Sequence, residues 1–168
     1  MTEAGTKGAP IKYTLQVTTP TEREIVMTRV FDAPRWLVFD AHTQCELLKR
    51  WHFGPEGWSL AVCEMDLRVG GKYRHAWRHA HKKEIGTGGV YREIVAPERL
   101  VTTEKFDGYA EEAVNTLALV ESGGKTTLTL TMLFETRESR DMVLKTGMEQ
   151  GVAQGFDRLD TVLESLRT

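Results

Sequence analysis

The C-terminal segment constrains the fold most. Leu144, Met148, Val152, Phe156, Leu159, Val162, Leu163 and Leu166 recur at helical spacing and make one apolar stripe. They predict a single helix over about 137–166, with Thr136 as its N-cap and Glu138 in its first turn. At roughly 1.5 Å per residue such a helix is about 45 Å long, enough to cross a whole sheet. Gly147, Gly151 and Gly155 follow one another at a spacing of four along one edge of the stripe. A helical glycine costs roughly 1 kcal/mol relative to alanine. The series therefore implies close packing of the helix backbone, or room left beside it for a ligand.

A stripe of that length needs a sheet to cover it. Residues 22–31 read as a strand, stopped by Asp32-Ala-Pro34. Pro34 suits the first turn of a short helix carrying Trp36, Leu37 and Phe39. Thr43-Gln-Cys-Glu46 fits a capping box opening a second short helix to about Trp51. Strands are then predicted over 58–68, 72–79, 84–95, 100–106, 113–121 and 125–134, with a hairpin signal at Ser122-Gly123-Gly124. Short turns between consecutive strands imply an antiparallel meander. The expected fold is α+β: a curved antiparallel sheet wrapped around the long C-terminal helix. Residues 1–10 read as a disordered lead-in and 11–168 as a single domain, with 11–17 a short strand or extended arm.

Composition narrows the function classes. A net charge of −2 gives no electrostatic case for nucleic acid. No apolar run is long enough to span a bilayer, and the N-terminus lacks the apolar stretch of a signal peptide. Cys45 and Cys63 are too few for a disulfide framework. Cys63 reads as a buried apolar side chain, and Cys45 as partly exposed with no activating base. A soluble, reduced, cytoplasmic protein is expected.

Period-two alternation puts Tyr73, His75, Trp77 and His79 on one strand face. Such a face makes either a satisfied core or a cavity wall of flat, partly polar groups. The histidines do not suggest a metal: His75 and His79 are about 13 Å apart along a strand, too far to share one zinc. His79-Ala-His81-Lys-Lys reads as a solvated hairpin tip. Glu104 shares a face with Thr102 and Phe106; if inward, its carboxyl sits in the cavity with a raised pKa. No catalytic triad, nucleophile elbow or Walker loop can be placed. Gly86-Thr-Gly88-Gly89 lies within a strand, where a bulge or bend explains it better than a phosphate cradle.

The element order, with Arg29-Val-Phe-Asp-Ala-Pro34, Val38-Phe39, Trp51, Glu64-Met-Asp66-Leu-Arg68-Val-Gly70-Gly71, Gly89-Val-Tyr-Arg-Glu-Ile-Val-Ala-Pro97-Glu98-Arg99-Leu100, Thr146-Gly147-Met148-Glu-Gln-Gly151 and Arg158-Leu159-Asp160, resembles the START-like (SRPBCC) superfamily. Within it, the chain is similar to bacterial homologues of the activator of the ninety-kilodalton heat-shock-protein ATPase. The likeness covers about residues 22–167. It implies a helix-grip fold and a cavity between sheet and helix, but no fixed activity.

With the residues, it suggests binding of a small apolar, aromatic or lipid-like molecule. The expected wall is Tyr73, His75, Trp77, Glu104, Phe106, Met132, Phe134, Met148, Gly151 and Gly155, with Trp51 and Phe53 closing one end. No catalytic residue, metal or cofactor is assigned. The alternatives are a cyclase-, hydrolase- or lyase-type enzyme using Glu104 near His75, or a chaperone or stress-response interaction module. A second copy of the chain and a chaperone stay open as partners.

Overall fold

The computed structural model describes residues 13–81 and 84–167; the expected lead-in over 1–10 lies outside them. Eight strands form one antiparallel sheet: β1 (Gln16–Thr18), β2 (Glu24–Phe31), β3 (Trp58–Met65), β4 (Lys72–His79), β5 (Ile85–Val95), β6 (Arg99–Phe106), β7 (Ala113–Ser122) and β8 (Lys125–Leu133). Their order across the sheet is β1-β2-β8-β7-β6-β5-β4-β3. Strands β3 to β8 are the predicted meander, which closes back on β2. Between β2 and β3 come two short helices, α1 (Arg35–Thr43) and α2 (Cys45–Leu48). Register shifts between Leu60 and Val62 in β3, and between Tyr91 and Glu93 in β5, bend the sheet. At Gly89 a Cβ would lie 1.9 Å from the Thr103 carbonyl oxygen, so the close approach of β5 to β6 requires glycine. The α+β helix-grip architecture is as expected.

The C-terminal helix differs from expectation. It is two helices, α3 (Arg137–Lys145) and α4 (Met148–Leu166). Gly147 breaks the run with φ of 76°, a left-handed conformation open to glycine at little cost. The stripe continues across the break, so periodicity alone does not disclose it. Thr136 is the α3 N-cap, its Oγ1 accepting from the Ser139 N–H at 3.1 Å. Arg140 is buried and donates to the Thr21 carbonyl at 2.7 Å, fixing α3 to the segment before β2.

Two further expectations are corrected. Thr43 is not a capping box residue: it closes α1 and donates its hydroxyl to the Phe39 carbonyl at 2.9 Å, while Gln44 precedes α2. Its short side chain reaches the carbonyl four residues back more readily than a donor in the next turn. The two cysteines are not free. Cys45 of α2 and Cys63 of β3 form a disulfide with Cα atoms 5.8 Å apart. The register shift after Leu60 turns Cys63 to the inward face of β3, opposite His75, where α2 packs.

The buried residues divide into two clusters. The larger gathers Phe31, Val38, Trp51, Tyr73, Leu117, Phe156 and Leu159 with their neighbours under α1, α2 and the C-terminal half of α4. The smaller comprises Ile25, Met27, Ala113, Met132 and Phe134, covered by Val143, Leu144, Met148 and Val152 where α3 meets α4.

Candidate functional site

The inward face of β4 carries a ladder of rings. Tyr73 and His75 have centroids 5.3 Å apart, and His75 and Trp77 6.3 Å. His52, just after α2, fits against both, 6.0 Å from His75 and 5.3 Å from Trp77. Two rungs are held by backbone: the Tyr73 hydroxyl donates to the Thr103 carbonyl at 2.6 Å, and Trp77 Nε1 to the His52 carbonyl at 2.9 Å. Burial lowers His75 to about 4. Burial, then the nearby His75 and His42, lowers His52 to about 3. Both imidazoles are therefore neutral at neutral pH. Burial pushes Tyr91, stacked 5.5 Å from Tyr73, up to about 12.

Along β6, Thr102 and Glu104 face the same interior. Burial raises the Glu104 pKa, countered in part by the Asn115 amide of β7. Asn115 sits between the two apolar clusters, on the face that carries Ala113 and Leu117. Phe106 lies at the sheet rim, 39% exposed, in a shallow surface depression beside Arg74, Lys105, Asp107 and Tyr109. A second depression opens at Thr21–Glu24 and Leu133, on the far side of the sheet order.

The expected wall residues separate into groups. Tyr73, His75 and Trp77 come together with His52, and Phe53 packs at the edge of the larger cluster under Arg158. Met132, Phe134 and Met148 belong to the smaller apolar cluster. Trp51 is core: it donates from Nε1 to the Ala41 carbonyl at 3.0 Å and packs on His42 and Phe156. The three glycines have three roles. Gly147 breaks the helix. Gly155 is buried, and a Cβ there would touch Trp51 at 3.8 Å. At Gly151 a Cβ would meet nothing within 4 Å, so space does open beside α4 at that residue.

Several participants escaped the sequence reading. Arg29 points inward from β2, 2% exposed, between Met27 and Phe31. It binds Asp157 at 2.9 Å and also Asp160, pinning α4 to the sheet. A charge at an inward position of an alternating strand was the available signal. One residue after Asp157, the Arg158 guanidinium stacks on Phe53 at 4.1 Å. Its Nη1, together with Arg29 Nε, His75 Nε2 and Asn115 Oδ1, is buried without a hydrogen-bond partner among the described residues. Each such group costs about 1–3 kcal/mol when left unmet. Each calls for a partner the chain does not supply, an ordered water or a ligand. His75 and Glu104 do not form a catalytic pair: β5 lies between their strands, and their backbones stand about 10 Å apart. No group of three His, Cys, Asp or Glu side chains among the described residues is arranged for a metal.

A sheet gripping a helix, with polar atoms left open between them, defines a helix-grip domain of the START-like kind. The family model for activator of Hsp90 ATPase homolog 1-like proteins matches residues 32–164, and the chain belongs to that family. A crystal structure from Rhodobacter sphaeroides is similar at 26% identity, covering 90% of this chain and 99% of that one, with a TM-score of 0.86. A Staphylococcus epidermidis protein is similar at 27% identity over 89% and 94% of the two chains, with a TM-score of 0.77. One from Chromobacterium violaceum is similar at 28% identity over 84% and 97%, with a TM-score of 0.69. No curated protein matches the chain. No helix among the described residues is long and apolar enough to cross a membrane.

Proposed function

We propose that the chain binds a small, largely apolar or aromatic molecule between the inward sheet face and α4. The observation that carries this reading is the set of buried atoms without a partner among the described residues, Arg29 Nε, His75 Nε2, Asn115 Oδ1 and Arg158 Nη1, on the inward sheet face and α4. The ring ladder on β4 supplies flat contact area, and a Cβ at Gly151 of α4 would meet no neighbour within 4 Å. Tyr73, His75, Trp77, Phe53 and Gly151 are the core of this site, with Glu104 and Met148 toward its other end.

Native mass spectrometry with added N-phenyl-1-naphthylamine tests the reading. A one-to-one complex, weakened by Gly151→Leu, is the expected result. A chain that shows only its own mass at saturating probe contradicts it.

The family name points to chaperone partnership instead. The exposed apolar side chains Trp36, Val69, Tyr109, Val120 and Met142 are spread over separate elements, which favours a ligand over a docking patch. A cytoplasmic location goes with the family reading; the Cys45–Cys63 bond pulls against it, because reducing compartments keep thiols open.

A further inference from the structure

Two of the unmet atoms belong to guanidinium groups; Arg29 has carboxylates on both its Nη atoms, whereas Arg158 has none. No described acidic side chain pairs with it. Its neighbour Asp157, and Asp160 two residues on, are both taken by Arg29. Phe53 covers one face of the guanidinium, and Nη1 is buried with nothing to donate to. Gly151 and Gly155 precede Arg158 by seven and three residues, so all share one edge of α4. The open space at Gly151 and the guanidinium thus lie on the same helix edge.

Resting on the binding role proposed for this interior, we infer that its ligand is an amphipathic acid, with an apolar or aromatic body along the Gly151 edge and an anionic head on Arg158. Arginine suits such a head because its rigid fork of donors matches carboxylate and sulfonate oxygens. His75, held neutral, does not add a second charge and offers one ring nitrogen to the same molecule. Glu104 lies on β6, across β5 from β4, and its carboxyl has the Asn115 amide of β7 beside it.

Two fluorescent probes that differ only in a sulfonate separate the possibilities: 8-anilinonaphthalene-1-sulfonate and N-phenyl-1-naphthylamine. Arg158→Met is expected to weaken the sulfonate probe about tenfold or more, the loss of a charge-assisted hydrogen bond, and to leave the neutral probe within about twofold. If neither probe binds the wild-type chain, the binding role itself is overturned. If both bind and Arg158→Met weakens them equally or not at all, only the acid is overturned. A second measurement needs no variant: decanoate is expected to displace the neutral probe at a concentration about tenfold lower than decanol. Equal displacement, or a preference for decanol, overturns the inference.

Discussion

Two arginines reach toward the interface of sheet and α4, and they are treated oppositely. Arg29, on β2, has Asp157 and Asp160 on its two Nη atoms, with only Nε left without a partner among the described residues, and stacks 5.3 Å from Phe31. Arg158, on α4 itself, has an aromatic ring but no carboxylate. One end of the interface is closed by the chain's own charges, and the other is left open. The first arrangement fixes where the helix lies. The second has no structural use for its charge, which is the pattern expected of a group awaiting a ligand.

Removing the first charge should have the largest effect. Arg29→Met leaves Asp157 and Asp160 without their cation and frees α4 from β2. Breaking a buried pair costs roughly 3–5 kcal/mol; the low end applies, because both carboxylates keep partial access to water. Urea unfolding should show a loss of about 3 kcal/mol. A loss below about 1 kcal/mol would make the pin irrelevant.

Acid should attack the ring ladder next. His42, like His52 and His75, is held low by burial, at about 4. These folded values lie below the unfolded one, so the unfolded chain takes up protons first as pH falls. The stability they contribute is complete above about pH 6.5 and is lost progressively toward pH 4. Between pH 7 and 5 the loss is about 1–2 kcal/mol per histidine. Glu104 and Asp160, raised by burial, act in the opposite sense. His75→Gln should therefore flatten the acid limb of a stability–pH curve; superimposable curves would show that His75 is already solvated.

A smaller gain is expected at Gly151. Gly151→Ala adds a Cβ into open space and improves helix propensity, raising stability by about 0.5–1 kcal/mol in thermal unfolding. A fall would mean that the space beside α4 is already occupied. The smallest net effect belongs to Arg158→Met: relief of the unmet buried donor, about 1–3 kcal/mol, is offset by loss of the stacking on Phe53, about 0.5–2 kcal/mol, leaving a change below about 0.5 kcal/mol. A loss matching that of Arg29→Met would erase the contrast between the two arginines.

Much of the fold was legible because it rests on short-range pattern. Alternation gave the six-strand meander and the inward face of β4, and Thr136 announced its helix. The break at Gly147 was hidden because the apolar stripe runs through it, and helical phase says nothing about one left-handed residue. The site was harder to read. His52, Asn115 and Arg158 are each unremarkable in sequence, and they matter only because the sheet and α4 bring them together. The Cys45–Cys63 bond likewise depends on α2 lying over the β3 edge, which spacing along the chain does not reveal. Conversely, Trp51 and Gly155 looked like cavity lining and are core, because each fills the space the other leaves.

A small molecule bound between the sheet and α4 would lie against the methionines of that interior. Methionine methyl resonances report it directly, since the interior and the outer surface each carry one or more. With methyl-13C-labelled methionine, titration of N-phenyl-1-naphthylamine should shift Met148 and Met132, on the α4 and β8 sides of the interior, and leave the exposed Met142 of α3 unmoved. Shifts confined to Met142, or none at saturating probe, would contradict it.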